Sequence, residues 1–168
     1  MQPVRTQLHC KFSMGKGPPP TPEIRNKKAR FNFEILEKLE AGIALTGSEV
    51  KSLRDGRASL EEAFAVIRDG EAFLRDCNIS PYPQAGYAQH KPTRERRLLL
   101  HRREIRKLFN KVTQKGLTLI PLKMYFNDRG LVKVLIGLAR GKKLHDKRET
   151  IKRREDQRAM ARAMRRRG

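Results

Sequence analysis

Several short runs of the chain alternate between hydrophobic and polar positions, which is typical of β-strands. Residues 31–46 alternate in part, with Glu40-Ala41-Gly42 as a break, and this predicts a hairpin or a bent strand. Residues 64–74 carry apolar positions on both sides of Asp69-Gly70, a dipeptide that favours a tight primed turn. The second stretch therefore predicts a β-hairpin.

A further hairpin is predicted where the β-rich runs 117–126 and 131–138 flank the turn residues 127–130. Two helices are also expected. A short one runs from 49 to 54 with Ser48 as N-cap. A longer amphipathic one starts around 100–102 and ends at Gly116, because its apolar residues recur at spacings near 3.6. Six or so short strands with two helices predict a mainly β fold built on a small closed barrel.

The ends of the chain differ in composition from the middle, so three regions are expected. Residues 1–23 lack apolar periodicity and predict a disordered leader, and residues 24–140 should form the barrel. Residues 141–168 hold 12 Lys or Arg against 4 Asp or Glu, and charge repulsion should keep this tail unfolded when free. An RNA would neutralise the repulsion and let the tail become helical, with one stripe formed by Arg154, Arg158, Arg162 and Arg166.

The charge of the chain narrows the class of partner. Lys and Arg total 39 against 18 Asp and Glu, a formal charge of +21, which attracts polyanions such as nucleic acid. No run has the length of an apolar membrane span, and the two cysteines, Cys10 and Cys77, do not make a disulfide framework. We therefore expect a cytoplasmic, monomeric RNA-binding protein with no membrane partner.

Candidate chemistry is limited to contacts with RNA. The histidines lack metal-ligand spacing and no glycine-rich phosphate loop is present, so we expect no enzyme activity, no cofactor and no metal site. Basic clusters could grip backbone phosphates at 25–30 and at Lys91, Arg94, Arg96 and Arg97. A structural ribosomal or RNA-chaperone protein and an RNA-processing nuclease are the alternatives.

The motifs GSEVKSLR at 47–54 and GKKLHDKR at 141–148, with much of the sequence from Asn26 to Arg158, resemble the SsrA-binding protein family, also called small protein B. The resemblance implies an OB-like antiparallel β-barrel with flanking helices and a basic C-terminal tail. It also implies binding to the tRNA-like domain of transfer-messenger RNA and delivery of that RNA to stalled bacterial ribosomes for trans-translation. The tail would probe the empty mRNA channel.

The same resemblance implies individual contact residues. On the barrel and at the tail junction, the RNA-binding residues would be Asn26, Lys27, Glu40, Leu99, Lys133, Gly141, Lys142 and Lys143. In the ribosomal decoding centre and mRNA channel they would be His145, Asp146, Lys147, Arg148, Arg154, Arg158 and Met164. Glu40 repels phosphate, so it would accept hydrogen bonds from RNA or orient neighbouring cations, unless it is only a turn carboxylate. The chain departs from the family pattern at Phe31, where many relatives carry His, and at Ala163-Met164.

Overall fold

The computed structural model describes residues 22–86 and 89–165. Its strands are β1 Ile24–Arg25, β2 Phe33–Ile43, β3 Ala58–Ser59, β4 Phe64–Arg68, β5 Glu71–Arg75, β6 Asn78–Ile79, β7 Arg96–Leu99, β8 Thr118–Phe126 and β9 Val132–Gly141. The α-helices in this part of the chain are α1 Ala29–Asn32, α2 Gly47–Arg54, α3 Arg102–Lys115 and α4 Leu144–Arg165. The predicted leader lies outside the described residues up to position 21.

Six antiparallel strands close into a ring. The order is β8, β4, β5, β7, β2 and β9, and β9 pairs again with β8, while β1 adds to β8. One seam is narrow, because β4 and β8 share a single register pair, Ala65 opposite Leu119. The ring is therefore a partly open barrel and not the closed one predicted, while the predicted mainly β class with flanking helices is confirmed.

The interior of the ring is filled by alternate residues of its strands, since successive side chains of a strand point to opposite faces. Val134, Ile136 and Leu138 of β9 are buried there, and Leu53 of α2 and Leu108 of α3 join the same core. Each such side chain contributes roughly 2 kcal/mol when it leaves water. The helices α2 and α3 are thereby held against the barrel.

The predicted turns are confirmed. Asp69 and Gly70 have φ values of 54° and 75°, as a primed turn between β4 and β5 requires. Gly116 ends α3 with φ of 58° in the left-handed region. In the turn before β9, the N–H of Gly130 donates to the carbonyl of Asn127 at 2.9 Å.

The predicted break at Glu40-Ala41-Gly42 is wrong. These residues lie within β2 and pair with 133–135 of β9, and Gly42 also pairs with Leu99 of β7. Pairing of all three residues with β9, and of Gly42 with β7 as well, outweighs the weak β-propensity of glutamate, alanine and glycine. The irregularity lies nearer the start of the strand, where the register shifts between Ile35 and Glu37.

Two local details also differ from the prediction. Phe31 lies in α1 and not in a strand, because the Asn26 Oδ1 accepts a hydrogen bond from the Ala29 N–H at 2.9 Å and turns the chain. The N-cap of α2 is Thr46 and not Ser48. Ser48 Oγ is instead 3.0 Å from Nδ1 of the buried His90, a partner that is distant in sequence.

In residues 22–86 and 89–165, no helix is long and apolar enough to cross a membrane. The same residues contain no group of three or more His, Cys, Asp or Glu side chains placed to share a metal ion.

Candidate nucleic-acid interface

The outer face of the barrel carries two rows of side chains that run across its strands. Residues directly opposite each other in an antiparallel pair have side chains on the same face. The registers of β7, β2, β9 and β8 place Leu99, Gly42, Lys133 and Tyr125 in a first row. The registers of β2, β9, β8 and β1 place Glu40, Leu135, Lys123 and Arg25 in a second row. We call this surface the two-row face.

Three of the sequence-predicted RNA contacts meet on the two-row face. Glu40, Leu99 and Lys133 come from three different strands, yet all three line one open groove of about 870 Å³. Lys133 Nζ lies 3.3 Å from Oε1 of Glu40. The structure therefore brings together an anion, a cation and an apolar side chain that are up to 93 positions apart in sequence (133 minus 40).

The carboxylate of Glu40 is half exposed, with 47% of its side chain accessible, and is held from two sides. The Tyr125 hydroxyl donates to Oε2, and Lys133 approaches Oε1. The hydrogen bond from Tyr125, followed by that from Lys133, holds the pKa of Glu40 below its ordinary value. The same hydrogen bond raises the pKa of Tyr125. Glu40 is thus an ionised acceptor with a fixed orientation.

Leu99 is a large apolar side chain that remains 55% exposed beside this carboxylate. It projects over Gly42, where a Cβ atom would lie only 3.1 Å from the Cβ of Leu99. Glycine at position 42 therefore gives Leu99 the space to lie flat on the two-row face. An exposed leucine here offers an apolar surface against which a ribose or base can pack.

Side chains of both charges line the groove that holds Glu40 and Leu99, and the acidic ones include Asp69, Glu71 and Glu104. Arg97 of β7 and Arg102, Arg106 and His101 at the start of α3 line it together with Lys133. Arg97 is itself paired with Glu71, with Nη2 2.5 Å from Oε1. Arg102 and Arg106 were not predicted as contacts from the sequence, because an arginine on an amphipathic helix is ordinarily a solvated surface residue.

A second groove, of about 350 Å³, adjoins the far end of the two-row face. Leu135 and Lys123 of the second row line it, and so do Asn26 and Lys27. Lys27 is exposed and can reach a phosphate.

Asn26 differs from the other predicted contacts, since its side chain is buried and engaged within the protein. Its Nδ2 donates to the carbonyls of Leu60 at 2.7 Å and Pro121 at 3.2 Å, and its Oδ1 accepts from the N–H of Ala29. These bonds fix the chain that carries Lys27. The amide of Asn26 is therefore engaged within the protein, and a direct contact of Asn26 with RNA stays a prediction.

The junction between barrel and tail is anchored. Gly141, the last residue of β9, pairs with Phe33 of β2. The N–H of Lys142 then donates to the carbonyl of Asn32 at 3.0 Å, and its Nζ donates to the carbonyl of Arg30 at 3.2 Å. Lys143 precedes α4 directly. The tail therefore leaves the barrel next to the basic segment 25–30.

The tail is helical from Leu144 to Arg165. The first turns of α4 contain His145, Asp146, Lys147 and Arg148. Farther along, Arg154 and Arg158 follow, and Met164 is 76% exposed, so its apolar side chain has little to pack against in the described part of the protein. Arg166, the last member of the predicted arginine stripe, lies outside the described residues. Disorder of the free tail stays a prediction.

The predicted phosphate grip by Arg94 and Arg96 is wrong. Arg96 is fully buried, and its Nε donates to Oε1 of Glu49 at 2.8 Å, while Nη1 and Nη2 donate to the carbonyls of Cys77 and Pro92. Arg94 donates to both oxygens of Glu49, at 2.7 and 2.6 Å. Both guanidinium groups are committed to one buried carboxylate, so they tie α2 to β7 and leave phosphate binding to exposed cations.

Tyr125 is a further residue of this surface that was not predicted from the sequence. Its half-buried ring lies on the two-row face, with Lys123 Nζ 4.3 Å from the ring centroid. The alternation of Lys123, Met124 and Tyr125 predicts that Lys123 and Tyr125 share a face. It does not predict that β2 brings Glu40 to the tyrosine hydroxyl, since that depends on the register of three strands.

The chain matches the family model of the SmpB protein over residues 23–166. Similar relatives include the SsrA-binding protein of Gloeothece citriformis, which is 63% identical over 84% of this chain and 91% of its own length. The SsrA-binding protein of Trichodesmium erythraeum is 61% identical over 83% of this chain and 89% of its own length.

A solved structure gives the corresponding comparison of folds. It is described as "tmRNA-SmpB: a journey to the center of the bacterial ribosome" and contains a chain that is 56% identical to this one. The match has a TM-score of 0.63 and covers 73% of this chain and 86% of that chain. The sheet ring described above is therefore shared with a chain of known structure.

Proposed function

The chain belongs to the SmpB protein family, and on this premise we propose that it binds transfer-messenger RNA and acts with it on bacterial ribosomes in trans-translation. Its relatives are named for binding SsrA, and the similar solved chain is described with transfer-messenger RNA and the bacterial ribosome. The family is one of RNA-binding proteins, and we propose that this member works without catalysis, in the cytoplasm.

The observation that carries the proposal is the meeting of Glu40, Leu99 and Lys133 in one groove of the two-row face. A surface that bound any polyanion would need only cations, because phosphate contacts contribute affinity without selectivity. An oriented carboxylate lowers the affinity for phosphate, and an exposed leucine adds nothing to it. Their presence among cations favours recognition of a particular folded RNA, and we propose that this RNA is the tRNA-like domain.

The tail has a separate role in the proposal. We propose that it enters the empty mRNA channel of a stalled ribosome, with His145, Asp146, Lys147 and Arg148 in the decoding centre. The anchoring of Lys142 to the chain before β2 supports this division, because it lets α4 project from the barrel at a fixed point. Ribosomal RNA would neutralise the basic tail and offset the entropy of ordering it.

Binding to RNA is tested with the full-length protein. Filter binding should show that the tRNA-like domain binds at least about tenfold more tightly than an unrelated structured RNA of equal length at the same salt, a difference of about 1.4 kcal/mol. Leu99→Ala should weaken the specific complex, and Leu131→Ala serves as a control because Leu131 is exposed to a similar extent, 58% against 55%. Equal affinity for both RNAs would refute the proposal.

The role of the tail is tested by ending the chain after Lys143. This position keeps the backbone bond of Lys142 to Asn32, whereas an earlier end would also damage the barrel. The truncated protein should retain most of its affinity for the tRNA-like domain and lose rescue of stalled ribosomes in a reconstituted translation system. A proportionate loss of both would contradict the division of roles. Stoichiometric presence on purified, unstalled ribosomes would favour a structural ribosomal protein instead.

A further inference from the structure

Tyr125 has no part in the function proposed so far, yet its hydroxyl makes the closest contact to Glu40. It donates to Oε2 of that carboxylate from the neighbouring end of β8. Tyr125 lies directly opposite Lys133, which approaches the other oxygen of the same carboxylate. Two side chains, from β8 and β9, therefore converge on one carboxylate of β2 in the groove.

We infer that Tyr125 is a positioning residue that holds the Glu40 carboxylate ready to accept hydrogen bonds from base N–H groups or ribose hydroxyls of the bound RNA. The inference rests on the proposed function, because it assumes that Glu40 faces RNA. It goes beyond that function by assigning a role to a residue that need not touch the RNA itself.

The physical reason lies in the freedom of an exposed glutamate. Fixing a glutamate side chain costs conformational entropy, and a binding partner must offset that cost if the side chain is mobile beforehand. The bonds from Tyr125 and Lys133 order Glu40 before RNA arrives. A carboxylate has about four acceptor positions, so two remain after these bonds. Glu40 is thus oriented and still able to accept.

Stacking of an RNA base on the ring of Tyr125 is a competing role, and Lys123 makes it less favourable. Its ammonium lies 4.3 Å from the ring centroid and covers one face of Tyr125. A base that stacked on this face would have to displace a cation that is itself suited to a phosphate. The hydroxyl of Tyr125, rather than its ring, is therefore the group to test.

A double-mutant cycle measures the coupling between Tyr125 and Glu40. The full-length protein, Tyr125→Phe, Glu40→Gln and the double variant are titrated with the tRNA-like domain. Tyr125→Phe should weaken binding about fivefold to tenfold, because RNA binding must then offset the entropy of ordering Glu40. In the Glu40→Gln background the same change should have much less effect. Tyr82→Phe, at a half-buried tyrosine outside the two rows, is the control and should bind normally.

The outcomes separate this inference from the proposed function. If Glu40→Gln binds the tRNA-like domain as the unmodified protein does, Glu40 does not face RNA and the proposed surface fails. If Glu40→Gln weakens binding and Tyr125→Phe does not, the surface stands and the positioning role is refuted. Equal effects of Tyr125→Phe with and without Glu40 would also refute it.

The pH dependence of binding provides a readout that a loss of packing would not change. The hydrogen bond from Tyr125 lowers the pKa of Glu40, so its removal raises that pKa. As the pH is lowered, the affinity for the tRNA-like domain should begin to fall at a higher pH in Tyr125→Phe than in the unmodified protein. Glu40→Gln should not show this loss, because glutamine has no carboxylate to protonate. The other titratable or charged groups that line the groove or act on Glu40 and Tyr125 are unchanged in these variants: Lys133, Lys123, Glu23, His101, Arg97, Arg102, Arg106, Glu71, Asp69 and Glu104. Identical acid profiles of Tyr125→Phe and the unmodified protein would overturn the inference.

Modified RNAs identify which donor the carboxylate accepts. Transcripts with partial inosine lack some guanine amino groups, and transcripts with partial 2′-deoxynucleotides lack some ribose hydroxyls. The inference is supported if a modification at one RNA position weakens binding to the unmodified protein but not to Glu40→Gln or Tyr125→Phe. An effect of inosine then identifies the donor as a base, and an effect of a 2′-deoxynucleotide identifies it as a ribose. The positioning role is contradicted if a modification weakens RNA binding by Tyr125→Phe as it does for the unmodified protein but has no effect on binding by Glu40→Gln.

Discussion

Replacing Glu49 by glutamine should destabilise the fold more than any exposed charge substitution. Glu49 is fully buried and accepts hydrogen bonds from Arg94, Arg96 and the N–H of Thr46. The glutamine variant leaves the fully buried guanidinium of Arg96 without a counter-charge. A buried charge that loses its partner costs about 3–5 kcal/mol.

The pKa of Glu49 leads to a similar magnitude. Burial raises this pKa, but the hydrogen bonds from Arg94 and Thr46 and the charges of both arginines outweigh burial and lower it from 4.5 to about 2. Each pKa unit corresponds to about 1.4 kcal/mol, so the ionised form contributes about 3 kcal/mol to the stability of the folded state. With a urea slope of about 2 kcal/mol/M, the unfolding midpoint of Glu49→Gln should fall by about 1.5 M.

The sign of the pH dependence provides a second test. Because the folded-state pKa is lowered, the contribution of Glu49 is present in full above about pH 4.5 and is lost as the pH falls towards 2. Glu49→Gln should lack this part of the acid-induced loss. Glu37→Gln is the matched control, since Glu37 forms an exposed ion pair with Lys111 that is worth less than about 1 kcal/mol. Equal midpoints for the two variants in urea unfolding, followed by far-UV circular dichroism, would refute the argument.

Three further predictions concern the groove, the core and the tail. Gly42→Ala should displace Leu99 and weaken binding to the tRNA-like domain by about 1 kcal/mol in filter binding. Gly47→Ala is the control and should bind normally, because there is open space around its Cβ. Equal binding by both variants would contradict the packing argument. Burial raises the pKa of Cys77 to about 11 and shields its thiol. In a Cys10→Ser background, iodoacetamide should therefore react with Cys77 at least about a hundredfold faster after unfolding in urea than in the folded protein. Equal rates would show that the thiol is accessible in the folded protein. A peptide of residues 141–168 should show little helix by circular dichroism until RNA is added, and a stable helix in isolation would contradict folding on binding.

Local patterns predicted the elements that depend on local chemistry. The turn at Asp69-Gly70, the end of α3 at Gly116 and the last hairpin were all predictable, because each needs particular residues at a few adjacent positions. The break predicted at 40–42 was wrong because pairing with β9 and β7 determines the conformation there. Propensity is a local preference, and two neighbouring strands outweigh it.

The roles of charged residues were harder to predict than the strands. Arg94, Arg96 and Arg97 are nearly adjacent in sequence, yet two bind the buried Glu49 and one lies beside the groove. Composition shows how many cations a segment holds and not which of them meets a carboxylate. GSEVKSLR is distinctive partly for this reason, since its Ser48 bonds His90 and its Glu49 binds both arginines.

The sequence alone determined the class of the fold, the excess of positive charge and the resemblance to an RNA-binding family, because all three depend on composition and on residues close together in the chain. Only the tertiary structure decided that Glu40, Leu99, Lys133 and Tyr125 share one face. Their neighbourhood depends on the register of four strands, and a shift of one residue in any strand would turn its side chain to the opposite face. Strand pairing therefore brings residues that are scattered along the sequence onto one surface.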